Sequence, residues 1–282
     1  MNKQRRGLGL LASSLFFMLL FPELTLQGTR RGLLLWYQHF LPAVFPFMIL
    51  SGIMTGFLHG GGPVFAALAG FLNGYPNGAK IASDLSERKL LSENIAPYYA
   101  VFCNQSSPMF LSAFAGLKKE MPWIYISSVF LLFLTGQIEK YKPGGNTDSS
   151  TGISPKSETV SSGFSGDYLL DCTGIMVKAG IYIMYFSILI RFLIEISNHF
   201  PAIRFLIPFL EITTGITYIR NSPLFTGKIQ QMLILFLCAS GGICTAFQTM
   251  EVTKNLNLSM KRYLFLKLIQ ASFTCIICIL FC

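Results

Sequence analysis

The chain has 282 residues, of which 52% are hydrophobic and 12% charged, and its mean hydropathy is +0.54. Soluble domains carry about 25% charged residues, so this composition excludes an ordinary soluble protein and indicates a polytopic membrane protein. The net charge of +9 comes from lysines and arginines that are spread along the ends of apolar stretches. This pattern is typical of membrane anchoring, so the lipid bilayer is the expected partner and nucleic acid is not.

Apolar stretches follow one another along the whole chain, and a membrane-spanning helix needs about 20 mostly apolar residues. The candidate spans are residues 8–26, 41–58, 96–116, 121–138, 170–194, 203–219, 229–248 and 262–282, with a shorter stretch at 64–74. The first candidate begins after a basic start and has no small-residue cleavage site, so residues 1–30 are expected to hold a retained N-terminal transmembrane helix.

The first unusual segment, residues 70–80, is polar and interrupted by glycine and proline. Asn73, Asn77, Lys80 and Asp84 follow at i, i+4, i+7 and i+11, so a helix through them would present one polar stripe. A bilayer tolerates broken backbone only where protein or a water-filled cavity shields it. Paired breaks of this kind indicate the binding site of a transporter.

A second break follows about thirty positions later. It consists of four consecutive polar residues ahead of a proline: Asn104, Gln105, Ser106, Ser107 and Pro108. Their amide and hydroxyl groups can cradle a small polar ligand, or they can simply cap and join neighbouring helices. Pro76 and Pro108 each suit the start of a half-helix, whose free N–H groups attract anions.

A change of composition divides the membrane part of the chain. Residues 139–167 are rich in Ser, Gly and Pro and predict a flexible linker. The flanking portions, 31–138 and 168–250, share a layout of helices and polar breaks, and residues 251–282 predict a C-terminal transmembrane helix. The predicted fold is therefore all-α, a polytopic membrane helix bundle with two inverted repeats that contain broken, re-entrant helices.

Glu211 lies within the apolar run 203–219, where an ionised side chain costs about 2.5 to 3.5 kcal/mol on insertion scales. It is the candidate for proton or sodium coupling, or for orienting a ligand. The alternative is an ion pair with Arg191, Lys178 or Arg204. Two further polar stripes are expected here: Thr214, Gly215 and Tyr218 beside Glu211, then Gly241, Thr245 and Gln248.

Enzymatic motifs are missing from the sequence. His39, His59 and His199 are isolated, and the chain has no phosphate-binding glycine loop and no zinc-protease or serine-hydrolase element. We therefore expect no enzyme activity, no cofactor and no metal site.

Four motifs in order, at residues 74–80, 102–110, 210–216 and 241–248, resemble the YlbJ-type family of sporulation integral membrane proteins, which contain a nucleoside-recognition or gate domain. The resemblance implies an architecture similar to the concentrative nucleoside transporters, with the substrate between broken hairpins of two inverted repeats. It also implies a role in moving dipicolinic acid, a small aromatic dicarboxylate, from the mother cell toward the spore.

On this basis we expect a sporulation-associated transporter of a small anionic metabolite in the plasma membrane, meaning the mother-cell or outer forespore membrane. The alternatives are a gate-domain factor for spore maturation that transports nothing, and a nucleoside carrier. Coupling to H⁺ or Na⁺ and homo-oligomerisation both remain open. The expected substrate-binding residues are Asn73, Tyr75, Pro76, Asn77, Gly78, Lys80, Asn104, Gln105, Ser106, Ser107, Thr213, Thr214, Gly241, Gly242 and Gln248, with Glu211 for ion coupling.

Overall fold

The structure is a computed structural model that describes residues 2–56, 61–140 and 166–281. Every regular element in these ranges is a helix. Five helices of the described part are long and apolar enough to cross a membrane: Pro22–Met54, Met121–Glu139, Tyr168–Ile196, Gly227–Val252 and Met260–Phe281. The protein is therefore an all-α polytopic membrane helix bundle, as the sequence predicts.

The N-terminal part forms one short helix followed by one long continuous helix, whereas the sequence predicts separate spans at 8–26 and 41–58. Helix α1 covers Asn2–Leu20, α2 covers Pro22–Leu35 and α3 covers Leu41–Gly56. Pro22 separates α1 from α2, because a proline disfavours the helical conformation in the residue before it. A π-helical turn at Trp36–Phe40 joins α2 to α3, and the two run on as one long apolar helix.

Helix α2 packs closely against α8, which covers Gly166–Ile196, through two glycines one turn apart. A Cβ at Gly28 would lie 2.6 Å from Ile188 Cα, and a Cβ at Gly32 would lie 2.6 Å from Met184 Cα. Small residues spaced by four let two membrane helices approach backbone to backbone. This contact attaches the long N-terminal helix, through α2, to the second portion of the bundle.

The first portion continues with short helices and two breaks. Its elements are α4 (Gly62–Asn73), α5 (Asn77–Glu87), α6 (Ala96–Phe102), a π-helical turn at Phe110–Phe114, and α7 (Met121–Lys140). The chain reverses between α4 and α5, which pack together, and α5 also packs on α6. The expected span 96–116 is thus interrupted at 103–107, where the backbone is not helical.

The second portion, after α8, also contains short helices and breaks. It holds 3-10 turns at Pro201–Phe205 and Ile207–Phe209, then α9 (Ile212–Asn221), α10 (Gly227–Ser240), α11 (Gly242–Val252) and α12 (Met260–Phe281). The expected span 203–219 is interrupted at 210–211 and is too short on either side to cross a membrane. The predicted linker 139–167 lies outside the described residues, except that its ends belong to α7 and α8.

Contacts within and between the two portions hold the bundle together. Helix α6 packs on α7 and α10 packs on α12, while α3 touches α8 and α7 touches α12 across the two portions. The largest apolar cluster joins residues 111–124 to buried residues of α9, α10 and α12. The breaks themselves lie inside the bundle, since residues 73–79, 103–107, 210–211 and 240–241 are all buried, so their polar backbone is kept from the lipid.

Candidate functional site

Four helix breaks meet in the middle of the bundle. We call residues 74–76 the first break, 103–107 the second, 210–211 the third and Gly241 the fourth. Hydrogen bonds connect them: Ala79 N–H donates to Asn104 Oδ1 at 3.3 Å, and Cys244 N–H donates to the carbonyl of Leu210 at 2.8 Å. The backbone groups that the breaks leave free thus find partners inside the protein, as the bilayer interior requires.

The first and second breaks are in direct contact. Asn104 accepts from the first turn of α5 through Oδ1, and its Nδ2 donates to Thr249 Oγ1 at 2.9 Å. A Cβ at Gly78 would lie 2.8 Å from the carbonyl oxygen of Cys103. The N-terminus of α5, which the sequence suggests as an anion site, is therefore already capped by an amide of the protein.

The third break is organised by Glu211, which is 1% exposed. Its backbone is extended, so it is the N-cap of α9 and not a member of that helix. Oε1 accepts from Thr213 N–H at 2.9 Å, while Oε2 accepts from Thr214 N–H at 2.7 Å and from the Thr213 hydroxyl at 2.6 Å. A carboxylate is favourable there because it satisfies free N–H groups and faces the positive end of the helix dipole.

The suggested ion pair of Glu211 is wrong. Lys178 bonds Glu251 at 3.0 Å, and Arg191 contacts Gln27 and Glu195. Within the described ranges no cation forms an ion pair with Glu211. Its helical stripe with Thr214 and Tyr218 does not form either, because Glu211 precedes the helix.

The fourth break brings the two portions together at Tyr75. Gly241 has a left-handed backbone (φ 81°), and a Cβ there would lie 2.8 Å from Tyr75 Cζ. The Tyr75 hydroxyl donates to the carbonyl of Ala239 at 3.3 Å. Gly241 thus supplies both the backbone conformation and the space that the tyrosine ring needs.

A central cavity of about 40 Å³ lies between the first three breaks and α11. Its polar lining groups come from all of these parts: Tyr75, Ser106, Ser107, Glu211, Thr213, Thr245 and Gln248. Apolar side chains such as Phe40, Val44 and Ile183 close its other side. The volume holds a few water molecules, whereas pockets for small-molecule ligands measure about 300 to 1,000 Å³. The central cavity is therefore smaller in this structure than a small-molecule binding pocket.

Gln248 connects this cavity to a second one. It lines both the central cavity and a side pocket of about 290 Å³ between α8, α11 and the start of α5. Gln248 is 3% exposed, and its Oε1 is one of four buried side-chain atoms of the described part that have no hydrogen-bond partner. A buried acceptor without a donor costs about 1 to 3 kcal/mol, which makes Gln248 the best-placed side chain to receive a ligand.

Charged groups surround the side pocket. Lys80 and Lys178 line it together with Asp171 and Glu251. Lys80 forms an ion pair with Asp84 at 2.9 Å. Burial raises the pKa of the Asp84 carboxyl, and the Lys80 ammonium opposes that shift. Both charge signs face this space, so the pocket suits a polar solute without selecting an anion by charge alone.

The structure divides the predicted site residues into three groups. Those lining the central cavity are Tyr75, Ser106, Ser107, Glu211, Thr213 and Gln248. Those lining the side pocket alone are Pro76 and Lys80. Those outside both are Asn73, Asn77, Gly78, Asn104, Gln105, Thr214, Gly241 and Gly242. The single stripe expected from Asn73 to Asp84 does not form, because the break at 74–76 places Asn73 on α4 and the others on α5. Thr245 and Gln248, in contrast, share one face of α11 as predicted.

Helix α12 contributes polar residues that the sequence reading missed. Tyr263, Lys267, Gln270 and Thr274 are each at most 1% exposed, whereas apolar residues such as Leu268 and Ile276 face outward. Gln270 accepts from Gln105 Nε2 at 2.8 Å and donates to Ser128 Oγ at 2.6 Å. The detectable signal was their spacing, i, i+4, i+7 and i+11, in an otherwise apolar membrane helix, where polar residues face the bundle interior.

The chain is similar to the sporulation integral membrane protein YlbJ of Bacillus subtilis (strain 168), with 28% identity over 109 residues. The similar part covers 32% of this chain and 26% of the relative's length. No family model and no solved structure matches the chain. The relative is named an integral membrane protein and this chain has five membrane-capable helices in its described part, so the protein is a membrane protein that is similar over a third of its length to a sporulation protein. The gate domain stays a prediction.

Proposed function

We propose that this protein is a sporulation-associated transporter that moves a small polar metabolite through the central cavity by alternating access. The observation that carries the proposal is the cavity itself, which lies between three helix breaks and α11 and includes the unpartnered acceptor of Gln248. Transporters place substrates at such breaks, near the middle of the membrane. The protein would act in the plasma membrane of a spore-forming cell, as the mother-cell or outer forespore membrane, without enzyme activity.

The mechanism we infer is a movement of one portion against the other. Both portions contain short helices and breaks, and their relation as inverted repeats is part of this proposal. If the two portions separate where Tyr75 contacts Gly241, the central cavity becomes larger. The substrate would then enter it from one side of the membrane through the side pocket, past Gln248. Coupling to H⁺ or Na⁺, and assembly into a homo-oligomer, are compatible with this movement.

Dipicolinic acid is the first cargo to test. The resemblance to the YlbJ-type family suggests it, and the Lys267 ammonium stands 3.1 Å from the Tyr75 hydroxyl that lines the cavity. The positive ends of the half-helices also favour an anion, although in this structure Asn104 caps α5 and Glu211 caps α9.

A nucleoside is the second candidate, because the cavity offers free acceptors. Gln248 Oε1 has no donor, and the Glu211 carboxylate is the charged group that lines the cavity. Acceptors of this kind bind the N–H groups of a neutral heterocycle and disfavour a second carboxylate. A maturation factor that transports nothing is the third candidate, favoured by the many hydrogen bonds that the breaks make to one another.

The test measures uptake of labelled dipicolinate and, separately, of labelled nucleosides by proteoliposomes, each with the other compound unlabelled as competitor. We compare the wild type with Gln248→Ala, and with Gln231→Ala as a matched control on the exposed side of α10. Gln248→Ala should reduce uptake at low substrate about 5-fold or more, the effect of losing a ligand hydrogen bond of about 1 kcal/mol. The control should transport like the wild type.

Each result selects one candidate. Uptake that nucleosides do not inhibit supports a dipicolinate carrier, and uptake of nucleosides alone supports the second candidate. If monodisperse, folded protein moves neither compound faster than empty liposomes do, transport is rejected and the maturation factor stands. Normal uptake by Gln248→Ala would remove the cavity as the route.

A further inference from the structure

Lys267 has a buried amino group without a carboxylate partner among the described residues. It is 1% exposed in the middle of α12, and its Nζ donates to the carbonyl of Asn104 at 2.7 Å, to Tyr75 Oη at 3.1 Å and to Gln270 Oε1 at 3.3 Å. Nζ also lies 4.9 Å from the centre of the Tyr75 ring. No carboxylate of the described residues forms an ion pair with it. A snorkelling lysine would reach the membrane surface, whereas this one points inward.

The partners of Lys267 are those of a cation site. An ammonium has three N–H donors and no acceptor, and it meets three oxygen atoms. One of them is a main-chain carbonyl of the second break, immediately beyond the C-terminal end of α6. Unwound carbonyls and the C-terminal ends of half-helices are where transporters coordinate coupling cations. The aromatic face of Tyr75 adds a further attraction for positive charge.

We propose that Lys267 is a built-in cation that occupies, in the wild-type protein, the site where a transporter of this design would bind a free monovalent cation. The proposal rests on the transport function and answers the question of the coupling ion at this site. The tethered ammonium joins the first break through Tyr75, the second break through Asn104, and α12. These three parts then move as one unit, and the wild type needs no Na⁺ there.

A purely space-filling role of Lys267 predicts a different response to substitution than a role for its positive charge. If Lys267 only filled space, an apolar side chain of similar length would serve as well or better, because well-packed apolar residues commonly equal or exceed buried charges in stability. If the positive charge matters, a small free ammonium compound should replace it when the side chain is shortened. The two roles are therefore separated by the charge of the compound that rescues a truncated variant.

The experiment measures thermal unfolding of purified full-length protein in detergent, which does not depend on transport. Lys267→Ala should lower the midpoint by about 5 °C or more. Propylammonium chloride, which restores the missing propyl chain and charge, should raise it back toward the wild type, and 1-propanol should not. Lys261→Ala, an exposed lysine of the same helix, is the control and should respond to neither compound.

Two further measurements complete the test. Replacing NaCl by N-methylglucamine chloride should leave the wild-type midpoint unchanged, and K⁺ or Na⁺ should partly stabilise Lys267→Ala. Equal rescue by propanol and propylammonium, or a Na⁺-dependent wild type, would overturn the proposal. If Lys267→Ala cannot be purified, Lys267→Met and Lys267→Arg replace it: the built-in cation requires Arg to fold better than Met, and the reverse order rejects it. If only the uptake assay fails, the transport function is rejected. The thermal-unfolding results still decide whether a positive charge is needed at Lys267.

Discussion

At the scale of single residues, Glu211 shows how a carboxyl side chain is accommodated inside this bundle. Its two oxygens accept three hydrogen bonds from Thr213 and Thr214, so the start of α9 satisfies the carboxyl group without a cation. The side chain also lines the central cavity. A ligand that enters must therefore share Glu211 with a helix end, which limits how far this residue can move.

We predict that Glu211→Gln destabilises the protein by about 2 kcal/mol, because an amide cannot accept at both ends and leaves one backbone N–H facing an NH₂ group. Thermal unfolding in detergent, or urea unfolding where it is reversible, measures the effect. Glu195→Gln is the control, since the Glu195 side chain is 55% exposed. An unchanged midpoint for Glu211→Gln would mean that the cap contributes nothing to the fold.

Sequence patterns predicted part of this site at residue level. Glycine and proline punctuation located both breaks of the first portion, and the i, i+3 spacing of Thr245 and Gln248 gave their common face. The ammonium of Lys267 was missed because its partners are 163 and 192 residues away in sequence. The role of Asn104 as a cap of α5 was equally out of reach, because it requires contact between two separate breaks.

At the scale of elements, the crossing of α2 and α8 depends on the absence of side chains at Gly28 and Gly32. The Gly-x-x-x-Gly spacing was visible in the sequence, but its partner helix was not. The lengths of the membrane helices were also only partly predictable. Apolar composition alone cannot distinguish a continuous helix from one interrupted at 103–107 or 210–211, because continuous and interrupted helices are both rich in apolar residues.

We predict that Gly28→Val lowers the thermal midpoint by several degrees and weakens the attachment of α2 to α8, because the new methyl groups would meet the backbone of Ile188. Gly136→Val is the matched control: it places the same β-branched residue in a helix, α7, where an added Cβ meets nothing within 4 Å. Equal midpoints for the two variants, compared by light-scattering and fluorescence melts, would show that the close crossing is not needed.

At the scale of the whole molecule, the small central cavity must open if the protein transports, and a native thiol reports on this. Cys244 is a free cysteine, 1% exposed, on the cavity wall. In a variant that keeps Cys244 as its single cysteine, N-ethylmaleimide should label the folded protein within minutes, and millimolar dipicolinate should slow labelling several-fold. Opening of the cavity exposes the thiol, and an occupant covers it.

The matched control keeps Cys278 alone, a fully buried residue in the apolar core between α10 and α12. It should react only after denaturation, with or without dipicolinate, because no cavity opens beside it. Mass spectrometry of the intact protein counts the label in both variants. If Cys244 is as unreactive as Cys278 under every condition, the central cavity does not open and the molecule is a static bundle.

The short helices around the breaks also bear on how the protein is made. Helices α4, α5 and α9 have 12, 11 and 10 residues, too few to be inserted as independent spans, which need about 20. The membrane-insertion machinery can therefore hand over only the long helices one by one. The broken segments must therefore enter the membrane together with neighbouring long helices, because their backbone groups need hydrogen-bond partners inside the protein.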